Sequence, residues 1–84
     1  MTGELLEQLH ASVRHFRLGE LAMGSDMMVV LIDSIQHYVE TGADEETIGT
    51  LGPVLSMVME AQQRGDFLLV ADLLEYELVT VFKP

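Results

Sequence analysis

Residues 66–82 read DFLLVADLLEYELVTVF, the most apolar long segment of the chain, and this segment decides the fold. Asp66 follows Gly65, so one helix can end at the glycine and the next can begin at the aspartate, whose carboxylate accepts a backbone N–H of the first turn. A helix apolar on most of its circumference is expected to be buried centrally or shared with a partner. Its main apolar face, at three- and four-residue steps, comprises Phe67, Val70, Ala71, Leu74, Leu78 and Val81.

The rest of the chain carries three further apolar stripes at helical spacing, each ending near a glycine. Short corners between consecutive helices favour antiparallel neighbours. We therefore predict an all-α fold, a four-helix up-and-down antiparallel bundle made of two helical hairpins, which dimerisation could complete. The sequence places the helices of this single domain, residues 1–84, at about 3–17, 20–41, 45–64 and 66–82.

Two positions leave details of these helices open. A glycine inside a helix costs about 1 kcal/mol relative to alanine, so the second helix begins either at Glu20 or, beyond Gly24, near Asp26. Alternatively, Gly24 allows another helix to approach closely. Pro53 interrupts the third helix, and because the apolar stripe continues across it, we expect a kink near Pro53 and not a break.

The two predicted hairpins share a corner motif, RLGE at 17–20 and QRGD at 63–66, which indicates a faint internal duplication. The phrase GDFLLVADLLEYEL, residues 65–78, resembles the C-terminal part of a group of short bacterial helical proteins without an assigned activity. The likeness covers little more than the last twenty residues. It implies an all-helical fold and transfers no site residues.

Charge and composition narrow the range of functions. Fourteen acidic residues oppose Arg14, Arg17, Arg64 and Lys83, and the formal net charge of −10 repels nucleic acids and anionic lipid surfaces. An apolar fraction of 49% is high for 84 residues, since a domain of this size buries only about 60% of its unfolded surface. We therefore expect apolar surface that a protein partner or a second copy covers, and neither nucleic-acid nor membrane binding.

The chain has no cysteine, which rules out disulfide bonds and the common zinc-finger ligand sets. The N-terminal segment MTGELLEQLH lacks a basic region followed by an apolar run, so we expect no secretory signal and a cytoplasmic location. No glycine-rich phosphate loop, cysteine nucleophile or nucleophile elbow is present, and we predict that the protein is not an enzyme.

Two alternatives belong to other functional classes. Glu7 and His10 have the Glu-x-x-His spacing of metal-binding bundles, and with His37 and Glu40 they could build a metal site. Such sites need further carboxylates on the same interior, so we predict no metal or other cofactor. The second alternative is an anionic decoy of a basic nucleic-acid-binding protein, which predicts salt-sensitive binding to a basic partner.

The function favoured by the sequence is a small acidic protein-interaction module, an adaptor, regulator or chaperone-like protein acting through exposed apolar helix faces. Methionine is flexible and polarizable, which suits surfaces that accept varied helical partners, although it also fills gaps in small cores. Aromatic residues near the C-terminus add candidate anchors. The predicted partner-binding residues are Met23, Met27, Met28, Tyr76 and Phe82.

Overall fold

A computed structural model describes residues 3–82, in which four helices are present and no strand occurs. The fold is therefore all-α, as the apolar periodicity predicts. The fourth helix, called here the C-terminal helix, consists of an α-helical part, a π-helical segment and a final α-helical turn. The bounds are α1 Gly3–Arg17, α2 Leu21–Glu40, α3 Glu45–Gln63, α4 Phe67–Asp72, the π segment Leu73–Leu78 and α5 Val79–Phe82.

Helices α2 and α3 settle the two open details of the sequence. Helix α2 begins at Leu21 with Glu20 at its N-cap and runs through Gly24, so it does not start near Asp26. Helix α3 contains Pro53 and continues through it to Gln63. The third helix is therefore one continuous element and not two pieces.

The corners before α2 and before the C-terminal helix share the same backbone conformation and hydrogen-bond pattern. Gly19 and Gly65 adopt left-handed φ values of 77° and 74°, a conformation that costs glycine no steric strain. At each corner the residue after the glycine donates its N–H to a carbonyl five residues back: Glu20 to His15 at 2.8 Å, and Asp66 to Ala61 at 2.9 Å. These bonds satisfy carbonyls that the helix end would leave free.

Helices α1 and α2 cross at very close range over Gly24. The Ser12 hydroxyl, fully buried, donates to the Gly24 carbonyl at 3.0 Å. A Cβ at position 24 would lie only 2.7 Å from the Phe16 ring, so a larger residue here would have to displace that ring. The Phe16 ring in turn stacks on Phe67, with ring centroids 5.5 Å apart, which brings the start of the C-terminal helix to the end of α1.

Helix α1 and the C-terminal helix together form the centre of the packing. Helix α1 contacts α2 and the C-terminal helix, and the C-terminal helix contacts α1 and α3. Consecutive helices α2 and α3 approach each other at few points. The core comprises Leu5, Leu9, Val13, Phe16, Met28, Leu31, Ile35, Leu51, Val54, Val58, Ala61, Val70, Ala71, Leu73, Leu74, Leu78, Val79 and Phe82.

Candidate functional site

The structure buries two of the five predicted partner-binding residues. Met28 is 2% exposed because it lies on the same face of α2 as Leu31 and Ile35, the face that packs on α1. Phe82 is 4% exposed and packs edge-to-face on Tyr38, with ring centroids 5.5 Å apart. The expectation that Met28 and Phe82 present exposed apolar surface is therefore wrong.

The π segment provides the physical reason for the burial of Phe82. The sequence predicts that Val81 faces inward, on the assumption of regular α-helical spacing. In the segment, hydrogen bonds reach five residues back, as from Val79 N–H to the Leu74 carbonyl, so the register of the following residues shifts on the helix surface. As a result, Phe82 enters the core and Val81 is only half-buried.

The other three predicted residues retain accessible surface. Met23 is exposed on α2, Met27 is half-buried one turn later, and Tyr76 is exposed within the π segment. Their role in binding stays a prediction. They do not line the groove described next, whereas Met28 lies at its floor.

An apolar groove lies between α2 and α3, where these two helices fail to close on each other. It has a volume of about 240 Å³. It forms because α2 turns its most apolar face to α1 and α3 turns its own toward the C-terminal helix, so the facing sides of α2 and α3 stay apart. The lining residues are Ser25, Met28, Val29, Ile32, Asp33, Met59 and Gln62.

The walls of this α2–α3 groove expose apolar side chains to solvent. Val29 is 64% exposed on the α2 side and Met59 is 45% exposed on the α3 side, while Ile32 is half-buried between them. Ile48 and Leu55 stand eleven and four residues before Met59, which helical spacing places on the same face of α3. The apolar wall of α3 thus extends along much of that helix.

Sequence reasoning missed Val29 and Met59 as candidate site residues. Val29 and Ile32 are three residues apart on α2, and Leu55 and Met59 are four apart on α3. These spacings place two short apolar stripes beside the main inward stripes. The signal that could have identified the groove is this pair of second stripes on consecutive helices.

A second cavity, of about 540 Å³, lies between the start of α1 and the end of α2. It is more polar, and Asp33, at the boundary, also lines the groove. The Thr41 hydroxyl at its edge donates to the His37 carbonyl at 2.9 Å and closes the last turn of α2. The lining residues are Glu4, Leu5, Asp33, Ser34, His37, Tyr38 and Thr41.

The metal-binding alternative receives no support from this geometry. Within residues 3–82, no group of three or more histidine, aspartate or glutamate side chains is placed to hold a metal ion. Glu7 and His10 lie exposed on α1, and His37 and Glu40 lie exposed near the end of α2, so the four proposed ligands do not converge.

Two interactions of charged side chains lie outside the groove. Arg17 at the end of α1 donates to Asp72 at 3.0 Å and to Glu75 at 3.3 Å on the C-terminal helix, and the hydrogen bond to Asp72 is the main reason that the pKa of Arg17 is raised. At the start of α3, hydrogen bonding by the Thr47 side chain, and to a lesser degree by its backbone N–H, lowers the pKa of Asp44. Both interactions are at the surface and contribute little individually to stability.

None of the helices within residues 3–82 combines the length and hydropathy that a bilayer span requires. Comparison of the chain with protein-family models, with curated proteins and with solved structures gave no significant match.

Proposed function

We propose that this chain is a small, acidic, non-catalytic protein-interaction module, an adaptor, regulator or chaperone-like protein that binds another polypeptide in the α2–α3 groove. The observation that carries the proposal is the apolar groove whose walls, Val29 and Met59, are exposed between two helices that do not close on each other. Covering such surface is favourable by about 25 cal/mol per Å² of apolar area. Methionine at the floor and wall can adjust its shape to different side chains.

As part of this proposal, the four helices form an up-and-down bundle with one open side. The Phe16–Phe67 pair connects the end of α1 to the start of the C-terminal helix, and the Tyr38–Phe82 pair connects the end of α2 to the end of the C-terminal helix. These pairs fit helices that alternate in direction. In a closed bundle α2 and α3 would pack on each other, and their separation leaves a site for an added helix.

Homodimerisation stays part of the proposal as the way in which a second copy could cover the same face. Two chains that each carry a formal charge of −10 repel one another, so self-association through this face should strengthen as salt screens the charges. Light scattering on the eluting protein at low and high salt measures it. The cytoplasmic location predicted from the sequence is likewise a proposal.

Site-specific photo-crosslinking tests the proposed function. A photoreactive residue replaces Val29 in the full chain, and the matched control carries it at Leu68, which is similarly exposed, 67% against 64%, but lies on the C-terminal helix. In cells of the source organism, we expect a discrete protein adduct from position 29 that Met59→Gln diminishes, and no such adduct from position 68. The same adducts from both positions, or none from a strictly monomeric chain, would contradict the proposal.

A further inference from the structure

The positive charges of the chain are excluded from the helices that form the groove. Residues 18–63 contain no lysine or arginine, so all four such residues lie outside α2, α3 and their connection. The same stretch carries eight of the fourteen acidic residues, all exposed: Glu20, Asp26, Asp33, Glu40, Asp44, Glu45, Glu46 and Glu60.

These acidic residues are not neutralised by the fold. Among residues 3–82, the one contact of any of the eight with a basic side chain is a hydrogen bond between Glu20 Oε1 and His15 Nδ1, at 2.9 Å. Arg17, by contrast, is engaged by Asp72 and Glu75 on the far side of α1. The α2–α3 half of the molecule therefore presents an uncompensated negative field around an apolar groove.

Asp33 belongs both to the apolar groove and to the acidic surface around it, because it lines the groove and is exposed. A residue that enters beside Val29 and Ile32 has both apolar carbon and the Asp33 carboxylate as neighbours. An occupant needs an apolar stripe for the floor and cationic groups for the rim. The negative field of this surface repels acidic proteins, nucleic acids and anionic lipids.

We infer that the α2–α3 groove receives a cationic amphipathic helix of another protein, with apolar residues at three- and four-residue steps against Met28, Val29 and Met59 and with lysine or arginine facing Asp33. The inference rests on the proposed function, to which it adds the chemistry of the partner. A second copy of this chain fits less well, because its own α2 and α3 have no cation to offer. At 1.5 Å per residue, α2 is about 30 Å long, which matches a partner helix of about 20 residues.

Fluorescence anisotropy with synthetic peptides tests the inference on the full chain. The probe is a labelled 18-residue leucine–lysine peptide with leucine on one helical face. Two control peptides carry glutamate in place of lysine, or the same leucine and lysine residues in a scrambled order. We expect the leucine–lysine peptide to bind at least tenfold more tightly than either control, and its affinity to fall as salt is raised.

Protein variants assign the binding to the groove. The double variant Val29→Gln with Met59→Gln should weaken binding of the leucine–lysine peptide at least tenfold, whereas Leu68→Gln, an exposed apolar residue on the C-terminal helix, should leave it unchanged. Asp33→Asn should weaken binding and reduce its salt dependence. All four substitutions are at exposed positions, and circular dichroism checks that each of the three variants is folded.

The other outcomes separate the two proposals. Equal binding of the leucine–glutamate peptide in the groove would overturn the inferred charge preference and leave the proposed function intact. Dimerisation that the double groove variant abolishes, without peptide binding, would assign the groove to a second copy. Peptide binding that the groove variants do not affect would overturn the inference and favour the anionic decoy. A monomer that binds no peptide and forms no crosslink at position 29 would overturn both proposals.

Discussion

The two faces of α2 differ in how closely they pack on the neighbouring helices. On the α1 side, Gly24 lets the helices approach until the Phe16 ring touches the α2 backbone, and the Ser12 hydroxyl bonds to that backbone. On the α3 side, Val29 and Met59 stand apart with an open groove between them. The same helix is therefore closed tightly on one flank and left open on the other.

This difference in packing arises from the residues that α2 carries on its α1-facing and α3-facing sides. Close approach of two helices requires a small residue at the crossing and a ring or aliphatic side chain that fills the space beside it. The α1–α2 crossing has both, whereas the α3-facing side of α2 carries Val29 and Ile32 with no glycine between them. The α1–α2 contact thus contributes to the core, and binding is expected where α2 faces α3.

Phe16 should contribute the largest single effect on stability. It is buried against Gly24 and Phe67, so Phe16→Ala should lower the free energy of unfolding by about 3–5 kcal/mol, a large part of the about 5–15 kcal/mol typical of a domain. Val29→Ala, on the open flank of the neighbouring helix, should change it by no more than about 0.5 kcal/mol. Urea denaturation followed by circular dichroism measures both. Similar losses for the two variants would refute the contrast between the flanks.

Gly24 and Gly49 form a matched pair of mid-helix glycines with opposite surroundings. A Cβ at position 24 meets the Phe16 ring at 2.7 Å, whereas among the described residues nothing lies within 4 Å of a Cβ at position 49. Gly49→Ala should therefore stabilise the protein by up to about 1 kcal/mol through helix propensity. Gly24→Ala gains the same propensity but must displace the stacked rings, and a net loss of about 1–2 kcal/mol is expected. Thermal unfolding of both variants tests this expectation. A higher stability of Gly24→Ala would show that the side chains at the α1–α2 crossing can move to make room for the added methyl group.

Much of the fold follows from the sequence because it is encoded locally. Apolar periodicity and the glycine corners place the helix boundaries inside residues 3–82 within one residue of the structure, as at Leu21 against the predicted Glu20. The carboxylate of Asp66 accepts the Leu69 N–H at 3.3 Å, as the corner motif predicts. The close approach at Gly24, one of two alternatives left open, also occurs.

The candidate site could not be derived in the same way, because it depends on contacts between distant residues. The π segment is not visible in the apolar pattern, and its register shift buries Phe82 and leaves Val81 half-buried. Apolar spacing also places Leu21 and Ile48 on the inward stripes of α2 and α3, yet they are 41% and 42% exposed. The groove results from a gap between α2 and α3, and spacing along one helix does not reveal a gap between two.

Gln8 on α1 carries a buried polar atom whose hydrogen-bonding capacity is not satisfied within the described part of the chain. It lies one turn before Ser12 on α1, and its side-chain oxygen is buried without a hydrogen-bond partner within residues 3–82. Leaving such an acceptor unsatisfied costs about 1–3 kcal/mol, so Gln8→Met, which keeps the length of the side chain, should stabilise the protein by about 1 kcal/mol. Gln63→Met, at an exposed glutamine, is the control and should have little effect. A destabilised Gln8→Met variant in urea denaturation would mean that the glutamine has a polar partner in solution.

Helices α2 and α3 also differ in how their first turns are capped. This difference should have the smallest effect on stability of those considered. The Glu20 side chain does not cap α2, within the part of the chain described, and instead bonds His15, whereas Asp44 caps α3 by accepting the Thr47 N–H at 2.7 Å. Because the folded pKa of Asp44 lies below its ordinary value of 3.8, its charge stabilises the fold above pH 3.8, and this contribution is lost as the pH falls through the folded pKa. An asparagine at this position would accept the same hydrogen bond at every pH.

The advantage of the natural chain over Asp44→Asn in thermal unfolding should therefore be present at pH 6 and disappear in strong acid. Glu20→Gln is the matched control at the other helix start, and its difference from the natural chain should not follow the same pH course if α2 is positioned by packing on α1. A constant difference between the natural chain and Asp44→Asn across this range would show that the charge of Asp44 does not contribute. In that case α3, like α2, would owe its start to tertiary packing, and the contrast between the two connections would not hold.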